Sequence, residues 1–223
     1  MNKPRSGDSA HRQLANSFLR VLRQGDEEAV SRVLEAALAQ GIDGPTIYLK
    51  GLQPALEQIG QLWETGRVLV AEEHRATVLA RWVMDTLWDD FIPDSYRGDN
   101  DHLLAGGVRG ERHDLGLIMV ARFLRRDGWH VFEMGTDVPE QDFASIAARI
   151  HPRVCLLSAA LPQRLEAVRT TIAGLRDSGF TAPIMVGGRV FRLDPGLVSA
   201  VGASGTAADA AEAVTRVHQL LGL

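Results

Sequence analysis

Two residues of this chain are best suited to chemistry by type and spacing: His113 and Glu111, in the run Gly110-Glu111-Arg112-His113-Asp114-Leu115-Gly116. An imidazole on a loop can reach a metal through one ring nitrogen. A carboxylate beside it can accept the proton on the other nitrogen and so fix the tautomer. Gly116 leaves space where the loop becomes a helix. Two further runs lack bulk, Ser158-Ala159-Ala160-Leu161 and Gly187-Gly188-Arg189, and there a backbone can approach a ligand closely. A second group pairs Trp63-Glu64-Thr65-Gly66 with Val70-Ala71-Glu72-Glu73-His74. A turn at Gly66 brings this aromatic plate, carboxylate and imidazole to one end of a helical bundle. Plainer readings exist for both groups. His113 also suits a solvated loop histidine beside a capping acid, and Trp63 a packed bundle end with Glu73 and His74 in solvent. No GxGxxG follows the first strand, and there is no P-loop, CxxC or HExxH. Glu73 and His74 have no neighbours at zinc-ligand spacing.

The elements that must position these residues fall into two kinds. Residues 10–24 place Leu14, Phe18, Leu19 and Leu22 on one helical face, and residues 27–40 repeat the pattern with Ala29, Val30, Val33, Leu34, Ala37 and Leu38. Pro45 opens a third helix to about Trp63, kinked at Pro54, and a fourth runs from Val70 to Trp88. Residues 8–92 are therefore expected to form a four-helix bundle. The Pro-, Gly- and Asp-rich stretch Phe91 to Asp101 reads as a linker. Residues 102–223 alternate short apolar runs with helical segments. That predicts an α/β domain, a parallel sheet of flavodoxin-like (Rossmann-like) order 2-1-3-4-5 with a weak fifth strand near 201–205. Ligands of such sheets bind beyond the carboxyl ends of the strands, where the three loops above converge.

Composition narrows the function classes. The net charge is −4 and both halves carry an acidic excess, so direct DNA binding by this chain is not expected. The single cysteine, Cys155, lies in an apolar run and reads as a buried thiol in a reducing, cytoplasmic setting. No apolar run approaches the roughly 18 residues a membrane span needs, and MNKPRSGDSAHRQ has no apolar signal core.

Glu111-x-His113-x-x-Gly116, Ser158 and Gly187-Gly188 resemble the cobalamin-binding signature, usually Asp-x-His-x-x-Gly, Ser and Gly-Gly in that order. The bundle resembles the cap module of the same proteins, and together they cover residues 10 to 222. The resemblance implies cobalamin bound base-off and His-on. His113 would be the lower axial cobalt ligand, with the nucleotide tail beside Ser158 and the Gly-Gly loop. Trp63, nine intervening residues, then Glu73-His74 is similar to the pattern of CarH/LitR-type light-sensing modules, as are Val70 and the glutamate at 111. That implies Trp63 over the upper group of adenosylcobalamin, with Glu73 and His74 against that group or the corrin. Hydroxo- and methylcobalamin are alternatives. With about ten residues ahead of the bundle and no helix-turn-helix, the chain is more similar to stand-alone AerR/PpaA-type antirepressors. The expectation is a light-responsive sensor, not an enzyme, that regulates transcription through a protein partner; homo-oligomers stay open. Light-sensing relatives have a histidine directly after the tryptophan, where this chain has Glu64. The alternative is a corrinoid shuttle protein of a methyltransferase system. A mutase-type domain and an axial-histidine haem protein are further readings.

Overall fold

The computed structural model describes residues 6–98 and 101–223. Residues 1–5, read above as part of a segment without a signal core, and residues 99–100, read as linker, lie outside the described residues. The chain divides into two compact units, Met1–Ile92 and Pro93–Leu223.

The first unit is helical. Helix α1 (Ser6–Gln24) stops at Gly25, and α2 (Glu27–Ala39) starts under an Asp26 cap whose carboxylate accepts the Ala29 N–H at 3.2 Å. Asp43 caps the next start in the same way, taking the Thr46 N–H at 2.9 Å with Pro45 in the first turn. From there α3 (Gly44–Thr46), a π-helical stretch (Ile47–Leu52) and α4 (Gln53–Glu64) run on as one continuous helix. The kink expected at Pro54 takes the form of this widened turn. Pro54 has no N–H to give, and the Gln53 N–H donates to the Tyr48 carbonyl five residues back. Helix α5 (Val70–Thr86) opens with the Glu72 carboxylate on the Leu69 N–H at 2.6 Å. A 3₁₀ turn (Trp88–Phe91) ends the unit.

Phe18, Leu22, Val30, Ile47, Tyr48, Leu52, Val83 and Met84 fill the core of this unit. The Tyr48 hydroxyl donates to the Met84 carbonyl at 2.7 Å, which satisfies its one polar atom inside the core. Two expectations need correction. Leu38 is exposed, because the buried stripe of α2 runs through Val30, Leu34 and Ala37. Phe91 does not begin a linker: it is fully buried with its ring 4.4 Å from that of Tyr48, so the helical core extends to it.

In the second unit four parallel strands lie in the order β2-β1-β3-β4: β1 (His102–Gly107), β2 (His130–Glu133), β3 (Val154–Ser158) and β4 (Ile184–Gly187). Side chains alternate between two cores, as the pleat requires. Leu103, Ala105, Val154 and Leu156 join Leu117 and Leu124 of α6 (Leu115–Arg126) and Val217 of α11 (Ala210–Leu221). Leu104, Cys155 and Leu157 face the other way, toward Phe143 of α7 (Glu140–Ile150), Val168 and Ile172 of α8 (Leu165–Asp177) and Phe191 of α9 (Arg189–Leu193). Burial there pushes the Cys155 thiol pKa well up, so it is an inert apolar filler. The short α10 (Leu197–Ala200) follows. The fifth strand expected near 201–205 is reduced to one parallel bridge, Met185 to Gly205. Gly202, Ala203, Ser204 and Gly205 carry no β-branched or large side chain to pack against a helix. Among the described residues no helix is long and apolar enough to cross a membrane.

The widened turn also sets how closely α1 can pack. A Cβ added at Gly51 would stand 2.9 Å from the Phe18 ring, which is fully buried and has no room to withdraw. Gly51→Val should therefore destabilise the helical unit by about 1–3 kcal/mol through overpacking, read as a lower urea midpoint with an unchanged slope. An unaltered midpoint would show that α1 yields at this contact.

Candidate functional site

Three loops meet at the carboxyl end of the sheet in the second unit. The first leaves β1 and carries Glu111 and His113 to the start of α6. The second follows β3 at Ser158-Ala159-Ala160, and the third follows β4 at Gly187-Gly188. They are joined by backbone first: the Val108 N–H donates to the Ser158 carbonyl at 3.2 Å, and the Ala159 N–H to the Gly187 carbonyl at 3.0 Å. Gly188 has φ +104°, and a Cβ there would collide with the Ala159 carbonyl, so no other residue fits.

Glu111 is the centre of the arrangement. It is 1% exposed, and its carboxylate takes four N–H donors. Oε1 accepts the Arg112 N–H at 2.8 Å, the His113 N–H at 2.7 Å and the His113 ring Nδ1 at 2.5 Å. Oε2 reaches across to the Ala160 N–H at 2.5 Å. Burial alone would raise the Glu111 pKa. The hydrogen bonds from the His113 ring, from Ala160 and from the His113 backbone outweigh it, so the carboxyl sits below its ordinary range. With Nδ1–H given to Glu111, Nε2 is the ring nitrogen that could serve a metal. The His113 side chain is 55% exposed. A Cβ at Gly116 or at Gly187 would meet nothing within 4 Å, so both positions border open space. Ser158 is half-buried, and its hydroxyl makes no hydrogen bond to protein among the described residues. Thr206, just past the bridge beside β4, holds a buried hydroxyl with no partner among the described residues.

The second group of residues lies in the helical unit. Trp63 ends α4 at 38% exposed, and across the turn Leu69 and Val70 are more exposed still. Glu73 and His74 sit in the first turns of α5. The Glu73 carboxylate accepts the Thr77 hydroxyl at 2.9 Å and stands 3.7 Å from the mostly exposed His74 ring. Sequence reasoning did not reach three features of the α/β site: the Ala160 N–H as an anchor of Glu111, Arg164 beside Gly110, and Asp137, whose carboxylate takes the Gly110 N–H. The signal for Asp137 was present in Gly135-Thr136-Asp137-Val138-Pro139, a turn with an aspartate that tolerates a left-handed backbone. Arg109 is paired with Glu140 and Arg125 with Glu133.

Residues 102–215 match the model of a B12 binding domain, and residues 14–87 match a second B12 binding domain model. Dimethylamine corrinoid protein 1 of Methanosarcina acetivorans is 27% identical over 197 residues, spanning 87% of this chain and 91% of its own. The HTH-type transcriptional repressor CarH of Myxococcus xanthus is 28% identical over 177 residues, 79% of this chain and 58% of its own. The structure of the Methanosarcina barkeri monomethylamine corrinoid protein superposes with a TM-score of 0.82 at 19% identity, covering 95% of this chain and 99% of that one. The light-sensing likeness expected from the Trp63 to His74 spacing is thus the partial match. Dimethylamine corrinoid protein 1, by contrast, is matched over nearly its whole length.

The Glu111 network makes stability depend on pH in a defined direction. A carboxyl with a depressed folded pKa adds stability above its unfolded pKa, and loses it as pH falls through the folded value. Glu111→Gln should cost about 1–3 kcal/mol at pH 7, because a buried network loses an acceptor, and the gap to the parent should narrow as pH falls below the ordinary carboxylate range. Urea midpoints at neutral and acid pH read it; a gap independent of pH would refute the ionised network. The residues also suit a corrinoid: an imidazole with its tautomer fixed, open space at Gly116 and Gly187, and hydroxyls short of protein partners. In both its helical and its α/β unit, this chain belongs to the B12-binding family.

Proposed function

We propose that this chain is a corrinoid carrier of a methyl-transfer system, not itself an enzyme, that exchanges a methyl group with separate protein partners. The supporting observation is the likeness to dimethylamine corrinoid protein 1, which spans 87% of this chain and 91% of that one. A bound corrinoid supplies a cobalt centre able to accept and release an alkyl group. The chain's own part is to hold that centre. His113 would be the lower axial ligand. Glu111 keeps the Nδ1 proton in place and so makes Nε2 a better donor. Ser158, Gly187 and Gly188 would border the nucleotide tail, Ser158 with a hydroxyl to offer and the glycines with room. In this reading Trp63, Val70, Glu73 and His74 shield the upper side.

A second reading, a light-responsive sensor that takes adenosylcobalamin and regulates transcription through a partner, is supported by the Trp63 to Glu73-His74 spacing and the CarH match. Glu64 weighs against it, since a glutamate stands where light-sensing relatives carry a histidine.

His113→Ala should remove the His-coordinated absorbance of bound methylcobalamin while the protein stays folded; an unchanged spectrum would sink the ligand assignment. The two functions separate on illumination. A carrier loaded with adenosylcobalamin should keep its gel-filtration volume in the dark and in green light. A light-driven change in volume would replace the carrier with the sensor.

A further inference from the structure

The loop that delivers His113 is held by more than Glu111. Its three residues before Arg112 are each tied to a different neighbour. Arg109 Nε donates to Glu140 Oε2 at 3.1 Å, the Gly110 N–H donates to Asp137 Oδ1 at 2.5 Å, and Glu111 bonds the Ala160 N–H. Two of these anchors follow β2: Asp137 lies in the β2–α7 connection and Glu140 opens α7. Gly110 has φ +79°, and a Cβ there would stand 2.5 Å from the Arg164 guanidinium, so the loop turns where only glycine fits.

Asp137 is unusual in its own backbone. Among the described residues two that are not glycine have positive φ, His151 at 47° and Asp137 at 57°. His151 ends α7, an ordinary use of that conformation. Asp137 ends no helix. It lies between two ladder bonds that fix its neighbours: the Gly107 N–H donates to the Gly135 carbonyl at 2.8 Å, and the Val138 N–H to the Gly107 carbonyl at 3.0 Å. The chain thus holds a costly conformation at the one residue whose carboxylate meets the Gly110 amide, which is the pattern of a functional constraint.

We infer that Asp137 is a positioning residue for His113: by holding the Gly110 amide it sets the path of the loop before the ligand arrives. This rests on the reading of His113 as the axial ligand. Among the described residues the Asp137 carboxylate bonds the Gly110 amide and makes no hydrogen bond or ion pair to the imidazole or to Glu111, so its effect passes through the backbone of residues 110–113.

The test titrates methylcobalamin into the full chain and into Asp137→Gly, Asp137→Asn and His113→Ala, following affinity, the fraction with a His-coordinated spectrum, and the thermal midpoint of each protein before loading. Glycine relaxes the left-handed backbone but removes the carboxylate. Asp137→Gly should bind about tenfold more weakly, the size of effect seen when an outer partner of a metal ligand is lost. It should also show a smaller His-coordinated fraction, without a lower thermal midpoint. Asp137→Asn keeps an acceptor oxygen and tolerates the same backbone, and should recover most of both. Binding and spectrum like the parent in Asp137→Gly would overturn the inference. So would an affinity loss that tracks a fall in thermal midpoint equally in both variants. An unchanged spectrum in His113→Ala would instead overturn the ligand reading, whatever Asp137 does.

Discussion

The site depends on one buried carboxylate. Ionised Glu111 is nearly inaccessible to water, which is costly unless each oxygen is paired. Four N–H groups supply that pairing, three from its own loop and one from the loop after β3. The length of the side chain matters. One oxygen is occupied by the backbone N–H groups of Arg112 and His113 and by the His113 Nδ1, so the other must span the gap to Ala160. An aspartate, one methylene shorter, could not serve both ends from the same backbone position. Through the glutamate at 111, where the usual signature has aspartate, the carboxylate reaches the Ala160 backbone amide on the neighbouring loop.

Everything beneath Glu111 serves to keep those two loops together. β1 and β3 are adjacent and in register from Leu103–Val154 to Gly107–Ser158, so the strands release their loops at the same height. The two-sided core fixes that register, because a slip by one residue would carry Cys155 and Leu157 to the opposite face. β4 then brings Gly187 opposite Ser158, and the contact of Gly188 with the Ala159 carbonyl closes the third loop onto the second.

Much of this was legible in the sequence because it rests on local chemistry. Asp26 as a cap, Gly25 as a stop, Pro45 at a helix start, the apolar strand β3 and the Glu111–His113 pair are set by residues a few positions apart. What was not legible depends on contacts distant in the chain. Phe91 looks like the start of a polar linker until Tyr48 is placed beside it. Pro54 announces a broken helix, but whether the break is a kink or a π turn depends on what α1 packs against Gly51. The segment 201–205 has the position of a strand but lacks the side chains to extend beyond one bridge. Ala160 contributes only its backbone N–H, which every residue but proline carries, so no pattern of side chains could have marked it.

The four donors to Glu111, and Asp137, Glu140 and Ala160 beside the His113 loop, lie within the α/β unit. A platform of this kind gives the same ligand geometry to any corrinoid function. A carrier and a sensor therefore do not differ in how they hold the metal from below; they differ in how the protein responds when the upper group leaves. A carrier must return to the same state after each exchange, whereas a sensor must convert that loss into a different conformation through a difference in affinity between two states. Under the proposed function, the residues that would make that difference are Trp63, Glu64, Val70, Glu73 and His74. Glu64 is the telling one. On the proposed carrier reading, a glutamate there, a hard anionic oxygen donor, would make a poorer partner for cobalt than a histidine would.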